Sequence, residues 1–469
     1  MHFGLEPYVP YLEYLFFVMG FFLAVFWRPI VGIFYLIPLI PLQTIRYRLN
    51  DFPLGQSVVG IMLLGVALGV LRSGKSILPK TPWTRLLCVY VLFTFLSLWV
   101  GCFYLGTAWP ITGNPRFGVW QDYMVMPALL LLTAAAAPTT RQMKWMLLLM
   151  CVATLLLDRS FWNVVAGRDF STYSEELREG GSMGYAGVNG LSAFEASVTT
   201  FLLALAAFEP KFLFRVGYYV LSIFCAVCCI YSLSRGGYLA LLVGILFLGL
   251  VKQRKLLLVL ILFLFTWTSL VPHAVEERVL MSYDQHTQTL DNSSETRLTL
   301  WKDAMELFRS NPVMGVGFNT YAYLHKVKRT DGVEGYYEDT HNIFLKVLVE
   351  TGVLGFLIFG YLLFKFFATG FRLFRKARDP LLASLGLGLT GWLLCSVVSN
   401  CFGDRWTFLQ INGYMWILAG FVSHGFVIER GNLSAVPTAS ESADAGVSEG
   451  PTDEITAAWS SEGMHARNA

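Results

Sequence analysis

The sequence predicts an all-α polytopic membrane protein with about twelve or thirteen transmembrane helices. Three observations predict it. Hydrophobic residues make up 55% of the 469 positions and charged residues only 14%, against about 25% charged in ordinary soluble domains. Apolar runs approaching the ~17–25 residues that a bilayer requires recur along the whole chain. Lys and Arg also gather in the loops on one side of those runs, the asymmetry expected of cytoplasmic loops.

The runs fall at 11–27, 30–44, 56–71, 83–103, 123–137, 143–157, 189–208, 212–233, 236–251, 256–271, 342–367, 381–402 and 406–428. The first two are split only by Arg28-Pro29 and can form one hairpin, which leaves the side of the N-terminus open. Met1 to Pro10 has no positive region and no small-residue cleavage site, so the first run is expected to stay as an anchor. Basic loops at 72–85, 252–255 and 372–378 share one side, expected to be cytoplasmic. The loops at 158–188 and 272–341 share the other side and are richer in Asp and Glu than in Lys and Arg. One membrane domain over 1–430 is expected, followed by a cytoplasmic tail at 431–469. That tail is rich in Ser, Ala, Glu and Gly and is expected to be disordered.

Composition excludes several classes of function. Net charge is +3 and no long basic run occurs, so no nucleic-acid partner is implied. Most of the eight Cys lie in apolar runs. The Cys225-x-x-Cys228 string has no second pair or His at zinc spacing, so packing is the expected role. No Asp-x-Asp motif and no cofactor motif is present, so neither metal nor cofactor is expected.

The 272–341 loop is too long to be structureless. Asp291 to Glu295 reads as a capped helix start, and Leu298, Trp301, Met305 and Phe308 recur at helical spacing until Asn311-Pro312. An amphipathic helix over about 295–309 is expected. Gly315-Val316-Gly317-Phe318-Asn319 follows it without a preceding strand or a Walker lysine. A tight turn returning the chain to the membrane is expected there, not a nucleotide loop.

Three features carry candidate chemistry. Ser234-Arg235-Gly236-Gly237 separates two apolar runs on the side of the long loops. A charge at the bilayer centre costs at least ~2.5–3.5 kcal/mol, so Arg235 belongs at a helix end. It reads either as a snorkelling arginine or as an anion ligand, because a planar guanidinium matches phosphate oxygens. Arg297, on the loop helix, reads as a solvated charge or as a second anion ligand. Asp339-Thr340-His341-Asn342 stands where the loop re-enters the membrane. His341 reads as an interfacial residue or as the titratable group of a transfer reaction.

The segments Glu295-Thr296-Arg297-Leu298-Thr299-Leu300-Trp301, Pro312-Val313-Met314-Gly315-Val316-Gly317, His341-Asn342 and Glu350-Thr351-Gly352-Val353-Leu354-Gly355 resemble the signature of the O-antigen ligase and polymerase superfamily. The upstream Ser234-Arg235-Gly236 and the Asn189 that opens a span resemble it too. The resemblance covers roughly 189–359 and implies a GT-C-like helical glycosyltransferase of the inner membrane of a bacterium. Its implied donor is an undecaprenyl-diphosphate-linked glycan, and its acceptor is a lipid, a glycan or a protein hydroxyl on the extracytoplasmic side. Arg235 and Arg297 then correspond to the arginines that bind the diphosphate, and His341 to the catalytic histidine. Asn189, Asn342, Glu350, Gly315 and Gly317 correspond to supporting positions. The residues themselves leave two competitors open, a lipid or polysaccharide transporter and a non-catalytic scaffold.

Overall fold

The computed structural model describes residues 6–434, apart from 112, 282, 285–288, 291 and 325–338. Nearly all of the expected tail lies outside the described residues, as do the side chains of the expected cap at 291–294. Residues Met1–Val427 form one compact unit, and the architecture below is that of this unit.

The helices are α1 (Val9–Phe26), α2 (Ile30–Leu39), α3 (Gln43–Leu49), α4 (Val58–Arg72), α5 (Thr84–Leu105), α6 (Pro115–Ala136), α7 (Thr140–Val165), α8 (Gly187–Ala206) and α9 (Phe212–Tyr231). They continue with α10 (Arg235–Val251), α11 (Arg254–Leu270), α12 (His273–Leu280), α13 (Asn292–Ser310), α14 (Tyr321–Leu324), α15 (Ile343–Lys376), α16 (Pro380–Asn400) and α17 (Leu409–Ser434). Two-residue strands, Tyr283–Asp284 and Thr289–Leu290, pair in the long loop. Among the described residues, ten helices are long and apolar enough to cross a membrane. The bent pairs α2–α3 (105°) and α11–α12 (108°) bring the number to twelve, and α10 is a further apolar helix of 17 residues. The expected range is reached by that count. Arg28-Pro29 separates two helices, as a proline that cannot continue α1 requires.

Short connections force successive crossings to alternate in direction. Arg72 donates to the Phe26 carbonyl, which joins the last turns of α1 and α4. The connections after α4, α6, α8, α10 and α15 therefore share one end of the bundle; they hold Lys75, Lys211, Lys252 and Arg378, and Arg141 lies in the first turn of α7 at the same end. The opposite end collects the connections at 106–114, 166–186, 232–234, 271–342 and 401–408. Polar caps start several helices where the sequence supplies them. Asn114 caps α6, Thr139 forms a capping box with Gln142 at α7, and Asp379 caps α16.

Helix α8 is the axis of the unit, with 94% of its apolar window buried. Its small and hydroxylated residues explain why. Bilayer helices gain little from burying apolar surface, so close backbone approach decides their packing. A Cβ at Gly237 or Gly244 of α10 would overlap Ser192 or Thr200 of α8. Thr200 returns its hydroxyl to the Ala196 carbonyl at 2.9 Å and meets the Cys395 thiol of α16 at 3.2 Å.

The long loop is fastened to the bundle by an exchange of backbone hydrogen bonds. Helix α15 is interrupted at Gly352, whose φ of 64° and ψ of −170° open the ladder. The freed Val349 and Glu350 carbonyls accept from Val316 N at 3.0 Å and Gly317 N at 2.7 Å. The freed Val353 and Leu354 N–H groups donate to the Pro312 and Val313 carbonyls at 2.9 and 3.4 Å. Phe318 N donates to Ser97 O of α5 at 3.1 Å. Asn319, Thr320 and Tyr321 N–H all donate to the Glu350 carboxylate, at 2.9, 3.0 and 3.2 Å. Every backbone N–H from 316 to 321 is thus used, as buried polar backbone demands. The expected tight turn is instead a segment docked against α5 and α15.

Glycine is required on both sides of this joint. Gly315 and Gly352 have φ of 69° and 64°, and a Cβ on either would strike the other strand's backbone. Replacing Gly352 or Gly315 by Ala is expected to cost ~1–3 kcal/mol of backbone strain before any steric shift. Thermal unfolding in detergent should show a markedly lower midpoint for each. Gly360→Ala, in the same helix with nothing within 4 Å of the new Cβ, should melt like the wild type. Equal midpoints for all three variants would remove the joint from the stability of the fold.

Candidate functional site

The loop end of the bundle holds a cavity of about 320 Å³, lined among others by Arg178, Asn189, Arg235, Arg278, Arg297 and Arg405. Its floor is built by the tight connection between α9 and α10. Leu233 adopts φ 56°, Ser234 takes the N-cap position and Arg235 becomes the first residue of α10. Ser234 Oγ donates to Asn189 Oδ1 at 2.8 Å, and Arg178 Nη2 donates to the same oxygen at 3.2 Å. Asn189 thereby joins the start of α8, the start of α10 and the 166–186 connection. It lies where the sequence expected it, at a span opening, and its carboxamide oxygen is a shared acceptor.

Arg297 reaches the cavity from α13. Four residues on, Trp301 Nε1 donates to the Thr340 carbonyl at 2.9 Å. One helical turn is ~5.4 Å, so the same short helix carries Arg297 to the cavity and secures the residue preceding His341. Packing of Ala304 against Tyr321 and Val349 holds α13 on the joint. Tyr321 Oη donates to the Leu300 carbonyl at 2.8 Å.

His341 has φ 49°, a left-handed conformation that is strained for a residue with a Cβ. Its neighbours enforce it. Thr340 Oγ1 donates to the Asn342 carbonyl at 2.9 Å, and the Asn342 side chain accepts from Phe344 and Leu345 N–H as the N-cap of α15. The Nδ1 atom of His341 lies 4.0 Å from Asp404 Oδ1. Ile343 N donates to the Gly403 carbonyl at 2.9 Å. The strip 402–405 therefore connects the two regions, because Phe402 and Arg405 line the cavity while Asp404 faces His341.

Lys346 pairs with Asp339 and lies 3.9 Å from Asp404. Burial raises the proton affinity of Asp404, but Lys346, Arg405 and His341 more than offset it and hold Asp404 below the usual carboxylate range. Arg405 is pulled below the ordinary arginine value, first by burial and also by Arg178, while Asp404 opposes the shift. An ionised carboxylate at this place can orient an imidazole and stabilise its protonated form.

Arg235 and Arg297 are brought to one cavity, whereas His341 is not among its lining residues and is related to it through Asp404 of the strip 402–405. The remaining expected positions have structural contacts: Asn342 caps α15, Glu350 binds three loop amides, and Gly315 and Gly317 permit the docking. Asp339 and Glu350 suggest themselves from the sequence as orienting groups for His341. Asp339 is instead held by Lys346, and Asp404 takes the place beside the ring. Arg178, Arg278, Arg405 and Asp404 escaped the sequence reading. The first two sit among Glu residues in loops and read as solvated charges. Asp404-Arg405 carries a weak signal, a charged pair between two apolar runs on the loop side.

The Cys-x-x-Cys string also does more than pack. Cys225 Sγ donates to Asp158 Oδ2 at 3.3 Å, and Asp158, Glu195 and Cys225 from α7, α8 and α9 place ligand atoms within 4.8 Å of one another. Three separate helices supply them, so spacing in the sequence could not have revealed the group.

Replacing Glu350 by Gln turns one acceptor oxygen toward the loop amides into a donor. That is expected to cost about 1–3 kcal/mol through an unsatisfied buried group. Differential scanning fluorimetry should show a lower unfolding midpoint, with anion affinity at the cavity unchanged below that midpoint. A variant as stable as wild type would show that the carboxylate does not organise the joint.

Two comparisons with known proteins bear on this geometry. No curated protein matches the chain. Residues 220–360, from α9 through the first turns of α15, match the family described as Wzy_C, O-Antigen ligase, whose members are glycosyltransferase-like enzymes. The matched stretch contains Arg235, Arg297, both halves of the backbone joint and His341, and over these residues this multi-pass membrane protein is similar to the O-antigen ligase family.

Proposed function

We propose that the chain is an O-antigen ligase-like glycosyltransferase of a bacterial inner membrane. It moves a glycan from an undecaprenyl-diphosphate carrier to an acceptor hydroxyl on the extracytoplasmic face. The observation that carries this reading is the convergence of Arg235 and Arg297 on one cavity, with His341 one short strip away. In the proposed reaction the acceptor oxygen attacks the anomeric carbon as the bond to the diphosphate oxygen breaks. His341 takes the hydroxyl proton. The electron pair leaves on the diphosphate, whose growing negative charge is met by the two guanidinium groups. A single displacement inverts the anomeric centre. Positioned bases contribute typically about 10²–10⁴-fold, and Asp404 would hold the imidazole and stabilise its cation. The group needs no bound nucleotide.

One observation favours a second reading, transport of a lipid-linked glycan. Asp158 and Glu195 are fully buried carboxyls within α7 and α8, and ionisable groups inside spans often mark transport pathways. The charged residues that do line the cavity collect at one end of the bundle, which favours surface chemistry.

In a reconstituted transfer assay, Arg235→Lys and Arg297→Lys should each lower the rate, and the Ala variants should lower it further, because Lys keeps charge but loses the planar fork. His341→Gln should lose ~10²-fold or more of the transfer rate while keeping donor affinity. Asp404→Asn should lower the rate less, since the imidazole keeps its place on the chain but loses the carboxylate beside it. Transfer at the wild-type rate by Arg235→Ala/Arg297→Ala, at equal membrane abundance, would refute the donor assignment. Loss of donor binding in His341→Gln would make the imidazole a diphosphate ligand instead of a base.

Orientation follows from the basic connections, which the positive-inside rule assigns to the cytoplasm. In a Cys88→Ser background, an impermeant maleimide should label Ser171→Cys in spheroplasts and Lys255→Cys only after lysis. The reverse pattern would invert the proposed topology.

A further inference from the structure

The cavity is more cationic than a diphosphate requires. Among the described residues its lining contains five arginines and no Asp or Glu. A diphosphate diester carries two negative charges, which Arg235 and Arg297 match. Arg405 has the ionised Asp404 beside it. Arg178 and Arg278 remain, and they share a single carboxylate. Glu175 lies 2.9 Å from Arg178 Nη1 and 3.6 Å from Arg278 Nη1.

Neither is a loose surface charge. The Arg278 side chain is 7% exposed and that of Arg178 20%. The Arg278 guanidinium rests over the Tyr173 ring at 4.9 Å, and the Tyr173 hydroxyl donates to Glu175. Tyr173 N in turn donates to Glu277 of α12 at 2.6 Å. The 166–186 connection and α12 thus hold both arginines rigidly from behind. The Nε atoms of Arg178 and Arg278 are nevertheless buried without a hydrogen-bond partner. A buried guanidinium N–H with nothing to bind is costly unless an acceptor arrives. One unbalanced positive charge on two guanidinium groups that line the cavity suits a second oxyanion.

We infer that Arg178 and Arg278 form a second anion subsite in the same cavity, which takes a carboxylate or phosphate ester carried by the transferred sugar or by the acceptor. The inference rests on the donor reading above, because it assigns the diphosphate to Arg235 and Arg297. It names a substrate class: at least one of the two substrates is acidic beyond the diphosphate. Held by a rigid pair of forks, that group would fix the sugar or acceptor in register with the bond that breaks.

The test uses the full chain in nanodiscs and small probes. Inorganic pyrophosphate is titrated first, by calorimetry. With pyrophosphate saturating, glucuronate is titrated as the sugar-carboxylate probe and glycerol 3-phosphate as the phosphate-ester probe. The expected result is binding of one of them by the wild type, weakened about tenfold or more in R178Q/R278Q, whose pyrophosphate affinity stays within about twofold. The probe that binds identifies the source of the anion. If R178Q/R278Q fails to melt cooperatively, R278K replaces it. That variant keeps the charge and is expected to weaken the second probe several-fold. Two results would overturn the second subsite: neither probe binding to the pyrophosphate-saturated wild type, or pyrophosphate affinity falling together with that for the second probe in the Arg178/Arg278 variants. Pyrophosphate binding that survives R235A/R297A would instead overturn the donor reading, whatever the second probe does.

Discussion

The break in α15 is the constraint on which the site depends. A helix inside a bilayer has no water to satisfy backbone groups that leave its ladder. Opening the ladder at Gly352 frees two carbonyls and two N–H groups, and the loop at 312–317 supplies backbone partners for all four. The long loop is therefore not draped over the bundle but locked into it. The lock has two consequences. It sets the height of α13, and with it Arg297 and Trp301. It also sets the start of α15, where Asn342 caps the helix immediately after the strained His341.

A second layer of bonding protects the lock. Glu350 collects three amides of the docked segment, and Arg116 of α6 donates to the Phe318 and Asn319 carbonyls and to Thr320 Oγ1. A buried carboxylate and a buried guanidinium grip opposite sides of the same stretch of backbone. Charges so placed cost desolvation, and the hydrogen bonds they make to peptide groups offset it. The result is a rigid platform at the membrane end on which a cationic cavity can be held open.

The cavity gathers like charges, and the frame around it makes that tolerable. Asn189 accepts from Arg178 and from Ser234, Glu175 lies behind Arg178 and Arg278, and Asp404 lies beside Arg405. Arg235 begins α10, where the helix dipole disfavours a cation. Such a frame is stabilised whenever an anion enters, so affinity for anionic groups is built into its electrostatics. The strip 402–405 then relates this anion-binding region to His341 through a single carboxylate.

What the sequence determined by itself was what local pattern encodes. Apolar runs set the number and approximate limits of the helices. Loop charge set their alternation, and the spacing of Leu298, Trp301, Met305 and Phe308 marked the loop helix. Arg235 and His341 were legible because each interrupts or borders an apolar run, where a polar residue is expensive and therefore conspicuous. The tertiary structure alone decided which distant residues meet. Arg178, Arg278 and Arg405 look like ordinary loop charges until the 166–186 connection, α12 and the 401–408 connection converge. Asp404 replaces Asp339 and Glu350 as the neighbour of His341, because Lys346 and the loop amides claim those two carboxylates. Gly315-Val316-Gly317 and Gly352 read as two separate glycine motifs in the chain. They are halves of one joint in the fold, and a hydrogen-bond exchange between residues 33 or more positions apart leaves no periodic trace in a sequence.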